Sequence, residues 1–154
     1  MLHAWSSARS TFPLPAGHRF PIEKYERLRR RVVELGIVRD ECLHDPGRAS
    51  VADLLRVHTG GYVERFTAGT LSTAEVRRLG FPWSDALVER ALRATGGTCE
   101  AAAHALEHGV AMNLAGGTHH AVPDHGEGFC VFNDVAVAIR ALQHRGRIAR
   151  AAIV

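Results

Sequence analysis

Lysine is all but missing from this chain. Lys24 is the only one, and every other basic side chain is an arginine. The arginines run from Arg9 to Arg150 among Asp and Glu, with a single run at Arg29-Arg30-Arg31. Aromatic residues are scarce too, at 6%. A nucleic-acid surface needs a dense basic stripe with aromatic platforms, so a net charge of +3 spread in this way excludes that partner. No apolar run reaches the roughly 18–20 residues of a membrane span, so no membrane partner is expected. Met1-Leu2-His3-Ala4-Trp5 lacks the basic and long apolar regions of a signal peptide, and the expected compartment is cytoplasmic. The three cysteines, Cys42, Cys99 and Cys130, include no C-x-x-C pair. That excludes a zinc ribbon and a disulfide framework and suits reduced thiols.

What is present is ordinary for a globular domain. The chain is 46% apolar and 23% charged over 154 residues, enough for one compact domain and too little for two. Periodicity predicts a strand at 2–5, a loop at 11–21 and a helix at 23–35 stopped by Gly36. Asp45-Pro46-Gly47 reads as a turn. Short helices are predicted at 51–57 behind Ser50, at 59–66 and at 72–79. A long helix follows at 85–107 behind Ser84, with Gly96-Gly97 marking close packing and Gly109 ending it. Then come a buried strand at 110–115, a loop at 116–128, a helix at 132–143 and a last apolar strand at 148–154. Strand, helix, strand implies parallel neighbours in an α/β fold. With two or three strands visible and an apolar strand at the end, 1–154 reads as the N-terminal part of a single larger domain. An unpaired strand edge at 148–154 would invite self-association.

Histidine is the one enriched chemical residue, with ten in the chain, about three times ordinary usage. Active sites of parallel sheets lie at the carboxyl ends of strands, and the loop after Ala115 is such a place. It reads Gly116-Gly117-Thr118-His119-His120, then Asp124-His125-Gly126-Glu127-Gly128-Phe129-Cys130. Glycines let the backbone approach a ligand. Two adjacent imidazoles with different partners can differ in protonation, so one can take a proton while the other donates a hydrogen bond. Neither G-x-G-x-x-G nor G-x-x-x-x-G-K-[ST] occurs, so the loop is not a phosphate cradle. His104 and His108, four apart on the long helix, read as surface residues, His58 as structural, and Asp124, His125 and Glu127 as a solvated rim.

Asn113 to Ala121 and Gly126 to Asp134 strongly resemble the zinc-dependent histone deacetylase superfamily, which includes acetoin-utilisation proteins and acetylpolyamine amidohydrolases. Leu14 to Pro21, Leu54 to Val63, Gly80 to Ser84 and Gly96-Gly97-Thr98 extend the likeness in the right order. The resemblance implies a three-layer arginase/deacetylase-like fold, a parallel sheet with helices on both faces, and removal of an acetyl or acyl group from an amine such as acetyl-lysine or an acetylpolyamine. By that resemblance His119 hydrogen-bonds the attacking water and His120 is general base, then general acid. Gly128 offers its carbonyl to the substrate amide, Phe129 forms a wall of the acyl tunnel, and Arg19 matches an arginine near an internal acetate channel.

The sequence also departs from that pattern. The family holds zinc with an Asp-x-Asp-x-His segment and a later Asp, and no such segment occurs here; by position it would begin after Val154. A catalytic zinc needs three protein ligands, so the 154-residue chain alone is expected to be inactive. Phe81-Pro82 stands where an acidic substrate clamp is expected. Besides a deacylase half-site, two other readings remain open: an inactive fragment or partner-dependent binding module, and an unrelated histidine-rich metal-binding protein.

Overall fold

The computed structural model describes residues 1–154. The first strand, β1, is His3–Trp5. Pro13, Pro15 and Pro21 keep the next segment irregular, and α1 then spans Lys24–Glu34. A 3-10 turn at Asp40–Cys42 leads into β2, Leu43–His44. Three helices follow: α2, Val51–Leu54; α3, Gly60–Ala68; and α4, Thr73–Leu79. Each starts behind a hydroxyl that accepts a first-turn N–H, from Ser50, Thr59 and Ser72 respectively. The long α5, Asp85–His108, is capped by Ser84 in the same way. β3 is Ala111–Asn113, and α6, Asp134–His144, starts behind the Asn133 side chain.

The sheet runs β2-β1-β3, with both pairs parallel. Side-chain alternation along β1 divides its two faces. Ala4 joins Val32 and Val38 from the α1 region, together with Cys42 and Leu114, in one apolar cluster. His3 and Trp5 point the other way, onto His104 of α5. Helices therefore cover both faces, with α6 packed on α5. The main core lies on the α5 side, where Leu54, Tyr62, Phe66, Leu79, Leu87, Phe132 and Val137 are buried together.

Gly96 makes the closest helix-to-loop approach. A Cβ there would collide with the Gly47 carbonyl oxygen, so only glycine lets α5 lie against the 45–49 loop.

Three expectations change. Residues 148–154 form no strand; they are mostly exposed, with Ile153 at 77%. A parallel strand is stable when both faces are covered, and nothing in this chain covers a second face there. The sheet gains β2 instead, a two-residue strand too short to show alternation. The strand predicted at 110–115 is trimmed to β3 and is not buried throughout, because α1 reaches β1 and β2 but leaves Met112 in solvent.

Candidate active site

The loop between β3 and α6 is held from beneath by one carboxylate. Asp134 is buried and accepts from Gly117 N–H at 3.0 Å, Thr118 N–H at 2.8 Å and Thr98 Oγ1 at 2.5 Å, while the single Thr118 hydroxyl proton is shared between Asp134 Oδ1 at 2.6 Å and the Phe132 carbonyl at 2.5 Å. Asn113 completes the base. Its Nδ2 donates to Thr98 Oγ1 and to the Ala94 carbonyl of α5, and its Oδ1 accepts from Ala115 N–H. Gly116 is wedged among these groups, since a Cβ would stand 2.8 Å from Asp134 Oδ2 and 2.9 Å from Thr98 Oγ1. A rigid polar base thus ends one residue before His119.

His119 and His120 are exposed on top of it, ring centroids 4.3 Å apart and 37° from parallel. His119 Nδ1 lies 3.0 Å from the Gly117 carbonyl. A carbonyl only accepts, so Nδ1 carries a proton and the neutral ring keeps its lone pair on Nε2. The His120 ring lies beside Gly128, 3.5 Å from where a Cβ would be. The two imidazoles therefore differ in environment.

Gly128 and Phe129 are anchored to α4. Their N–H groups donate to the Arg78 and Leu79 carbonyls at 3.3 and 2.8 Å, groups that a helix end leaves without intrahelical partners. Phe129 is the only non-glycine residue with positive φ, at 69°. Such backbone costs on the order of 1–3 kcal/mol and persists where the surroundings fix it. Here they do: Phe20 and Phe81 each place a ring centroid 5.0 Å from that of Phe129. Phe81 is buried in this aromatic group, so the position expected for a clamp faces inward. Gly80, at the end of α4, also bonds through its carbonyl to His18 Nε2 at 3.0 Å, tying the N-terminal loop to the same corner.

Arg19 is exposed, with its guanidinium 4.8 Å from the Phe129 ring centroid. It does not line the cavity behind the site. That cavity, about 40 Å³, is lined by Phe12, Phe20, Tyr25, Phe129 and Thr118 among others, and its arginine is Arg90. Arg90 is buried, donates to the Ser7 carbonyl at 2.6 Å and stacks 3.9 Å from the Tyr25 ring centroid, with no carboxylate partner. Burial lowers its pKa. Sequence reasoning missed Arg90 because nothing in its helical spacing marks it as an inward cation. It also missed Asp134, Thr98 and Asn113 as supports, although all three lie in quoted motifs.

The remaining candidates separate from the site or stay at its rim. His125 pairs with Asp124 at 2.7 Å on the exposed loop. Burial pushes the Cys130 thiol up, as expected of a packed and unreactive group. His104, expected at the surface, is half-buried and packs against His108 and His3 at ring centroid distances of 4.2 and 4.4 Å, outside the loop. For zinc the donor set fails: no three His, Cys, Asp or Glu side chains stand together to hold one ion. Asp134 is occupied by its donors and His119 Nδ1 by Gly117. The residues of this chain do not by themselves fit a metal.

On a parallel α/β sheet, a strand-end loop thus presents two imidazoles, side chains of the kind that can take up and give back protons, beside a constrained aromatic wall. Residues 18–154 match the histone deacetylase domain, and the chain belongs to the histone deacetylase family. It is 46% identical over 142 residues to an uncharacterized protein of Picosynechococcus sp., covering 92% of this chain and 47% of that one. It is 37% identical over 147 residues to a histone deacetylase-like amidohydrolase of Pseudomonas aeruginosa, covering 92% of this chain and 38% of that one. The crystal structure of a histone deacetylase homologue from Aquifex aeolicus superposes with TM-score 0.78 at 25% identity, over 94% of this chain and 42% of that one. The chain spans less than half the length of these relatives. No helix is long and apolar enough to cross a membrane.

Proposed function

We propose that this chain is the N-terminal part of a single deacetylase domain and carries the acid/base half of an amide hydrolase acting on an acetylated amine. Zinc, when bound through ligands supplied from outside these residues, would polarise the acyl carbonyl and lower the pKa of the attacking water. His120 takes the proton from that water at a ring nitrogen and returns it to the leaving amine. His119, with its proton fixed on Nδ1, meets the water through Nε2. Phe129 and Gly128 orient the acyl chain, with Arg19 at the outer edge of the Phe129 wall. Arg90, a buried cation without a counter-ion, suits a departing carboxylate in the cavity behind. The observation that carries the reading is the His119–His120 pair on the Asp134 base beside Gly128.

The test uses the full-length product of the gene that encodes this chain, with an acetyl-lysine peptide and an acetylpolyamine as substrates. Turnover should disappear with a chelator and return with zinc. His120→Ala should lower kcat by about 10²–10⁴ with zinc content unchanged. Near-wild-type turnover in His120→Ala would sink the role. A second reading, a partner-dependent binding module, is favoured by exposed Val110 and Met112 beside the free edge of β3. It predicts no turnover with zinc present, and capture of a second chain at that edge.

A further inference from the structure

The mechanism leaves one buried imidazole unused. His58, at the corner between α2 and α3, is 3% exposed. Its Nδ1 lies 3.0 Å from the Val122 carbonyl, and its Nε2 lies 3.0 Å from Asn133 N–H. The first partner can only accept and the second can only donate. Both bonds therefore exist only in the neutral ring with its proton on Nδ1. The bonds join the segment that follows His120 to the residue that starts α6.

Neighbouring contacts close the same neck. Asn133 Nδ2 donates to the Ala121 carbonyl at 3.3 Å, Thr59 N–H to Pro123 at 2.8 Å, and Tyr62 OH to Val131 at 2.8 Å. The loop from 121 to 133 is thus pinched at its base, with His120 entering it and Gly128 and Phe129 at its far end. Of these links only the His58 pair changes character with protonation in the ordinary range. A proton on Nε2 would set two donors facing each other at Asn133.

We infer that His58 is a positioning residue for the His119–His120 pair, holding the base of the site loop closed through its neutral, Nδ1-protonated ring. Burial keeps the ring below the usual histidine value, which favours that form. The groups facing it are few. Tyr62 of α3, ring centroid 5.8 Å away, is kept protonated by burial, and Phe132 lies 5.3 Å away. Val122, Pro123 and Asn133 present backbone, and no charged side chain pairs with it. The assignment rests on reading His119 and His120 as the acid/base pair.

The test reads loop geometry and not turnover, so the two can fail separately. Ring-nitrogen and amide NMR on the 154-residue chain is followed from pH 7.5 to pH 5. His58 should show a protonated Nδ1 and titrate below the ordinary histidine value. The Ala121, Gly128 and Asn133 amides should move with it, and Asn133 exchange should rise about tenfold as the bond is lost. In His58→Gln the amide oxygen can still accept from Asn133 and does not titrate. The three amides should then keep their positions at neutral pH, and Asn133, which His58 bonds directly, should lose its acid response. His58→Leu should shift them at every pH; if it does not fold, the comparison of wild type with His58→Gln decides. An identical acid response of the Asn133 amide in wild type and His58→Gln, or a ring protonated on Nε2, overturns the assignment.

Discussion

Asp134 collects a donor each from Gly117, Thr118 and Thr98 without a cation beside it, so the position of the site loop rests on one buried carboxylate. Asp134→Asn puts an NH₂ among N–H and O–H donors. It should cost about 1.5–3 kcal/mol, the range for hydrogen bonds to a charged group, read from the urea midpoint. No change in midpoint would mean that the loop holds itself. Gly116→Ala acts on the same base by crowding. Its methyl would press on the Asp134 carboxylate and the Thr98 hydroxyl, with an expected loss of about 1–3 kcal/mol. The exposed rings above should tolerate change better: His119→Ala should leave thermal stability within about 0.5 kcal/mol, as for surface positions generally.

Helix starts were the most legible elements, because a side-chain oxygen followed by an apolar period has one physical use. Ser50 and Ser84 each cap the helix expected after them, and Ser72, expected as the first residue of its helix, is the cap of α4. Thr59 caps α3 from just outside its first turn. The sheet was read less well. Strand stability comes from neighbours, and neither the pairing of Leu43–His44 with β1 nor the lack of a partner for 148–154 is written locally. The site followed the same division. Residues in the glycine-flanked loop could be found by motif, whereas Arg90 and the Asn113–Thr98–Asp134 base come together only through the packing of α5. The α4 cap offers a clean check at this scale. Arg65 and the Ser72 cap hold Glu75 down to about 2. Its folded value lies below the unfolded one, so its stabilisation is full above pH 4.5 and fades as pH falls toward 2. Glu75→Gln should be less stable than wild type at pH 6, and the gap should close near pH 2; a gap independent of pH would point to packing.

At the scale of the molecule, imidazoles set the acid limit. Burial lowers the pKa of His58, His3 and His104, and His3 and His104 also lie among other histidines. Each ring binds its proton less readily folded than unfolded. Stability should therefore be full above the ordinary value of 6.5 and decline as pH falls below it. Thermal midpoints from pH 8 to pH 5 would show this, and a flat profile down to pH 5 would contradict it. Any self-association is expected at the free edge of β3. Because residues 148–154 are not a strand, deleting them should leave any self-association intact, whereas Met112→Lys beside β3 should weaken it in sedimentation. The left-handed backbone of Phe129 has a consequence for mutational mapping. A library selected for folding alone should drift toward glycine at 129, whereas one selected for acyl-chain binding should retain a ring. The place where the two maps disagree would mark the binding wall without any ligand being known.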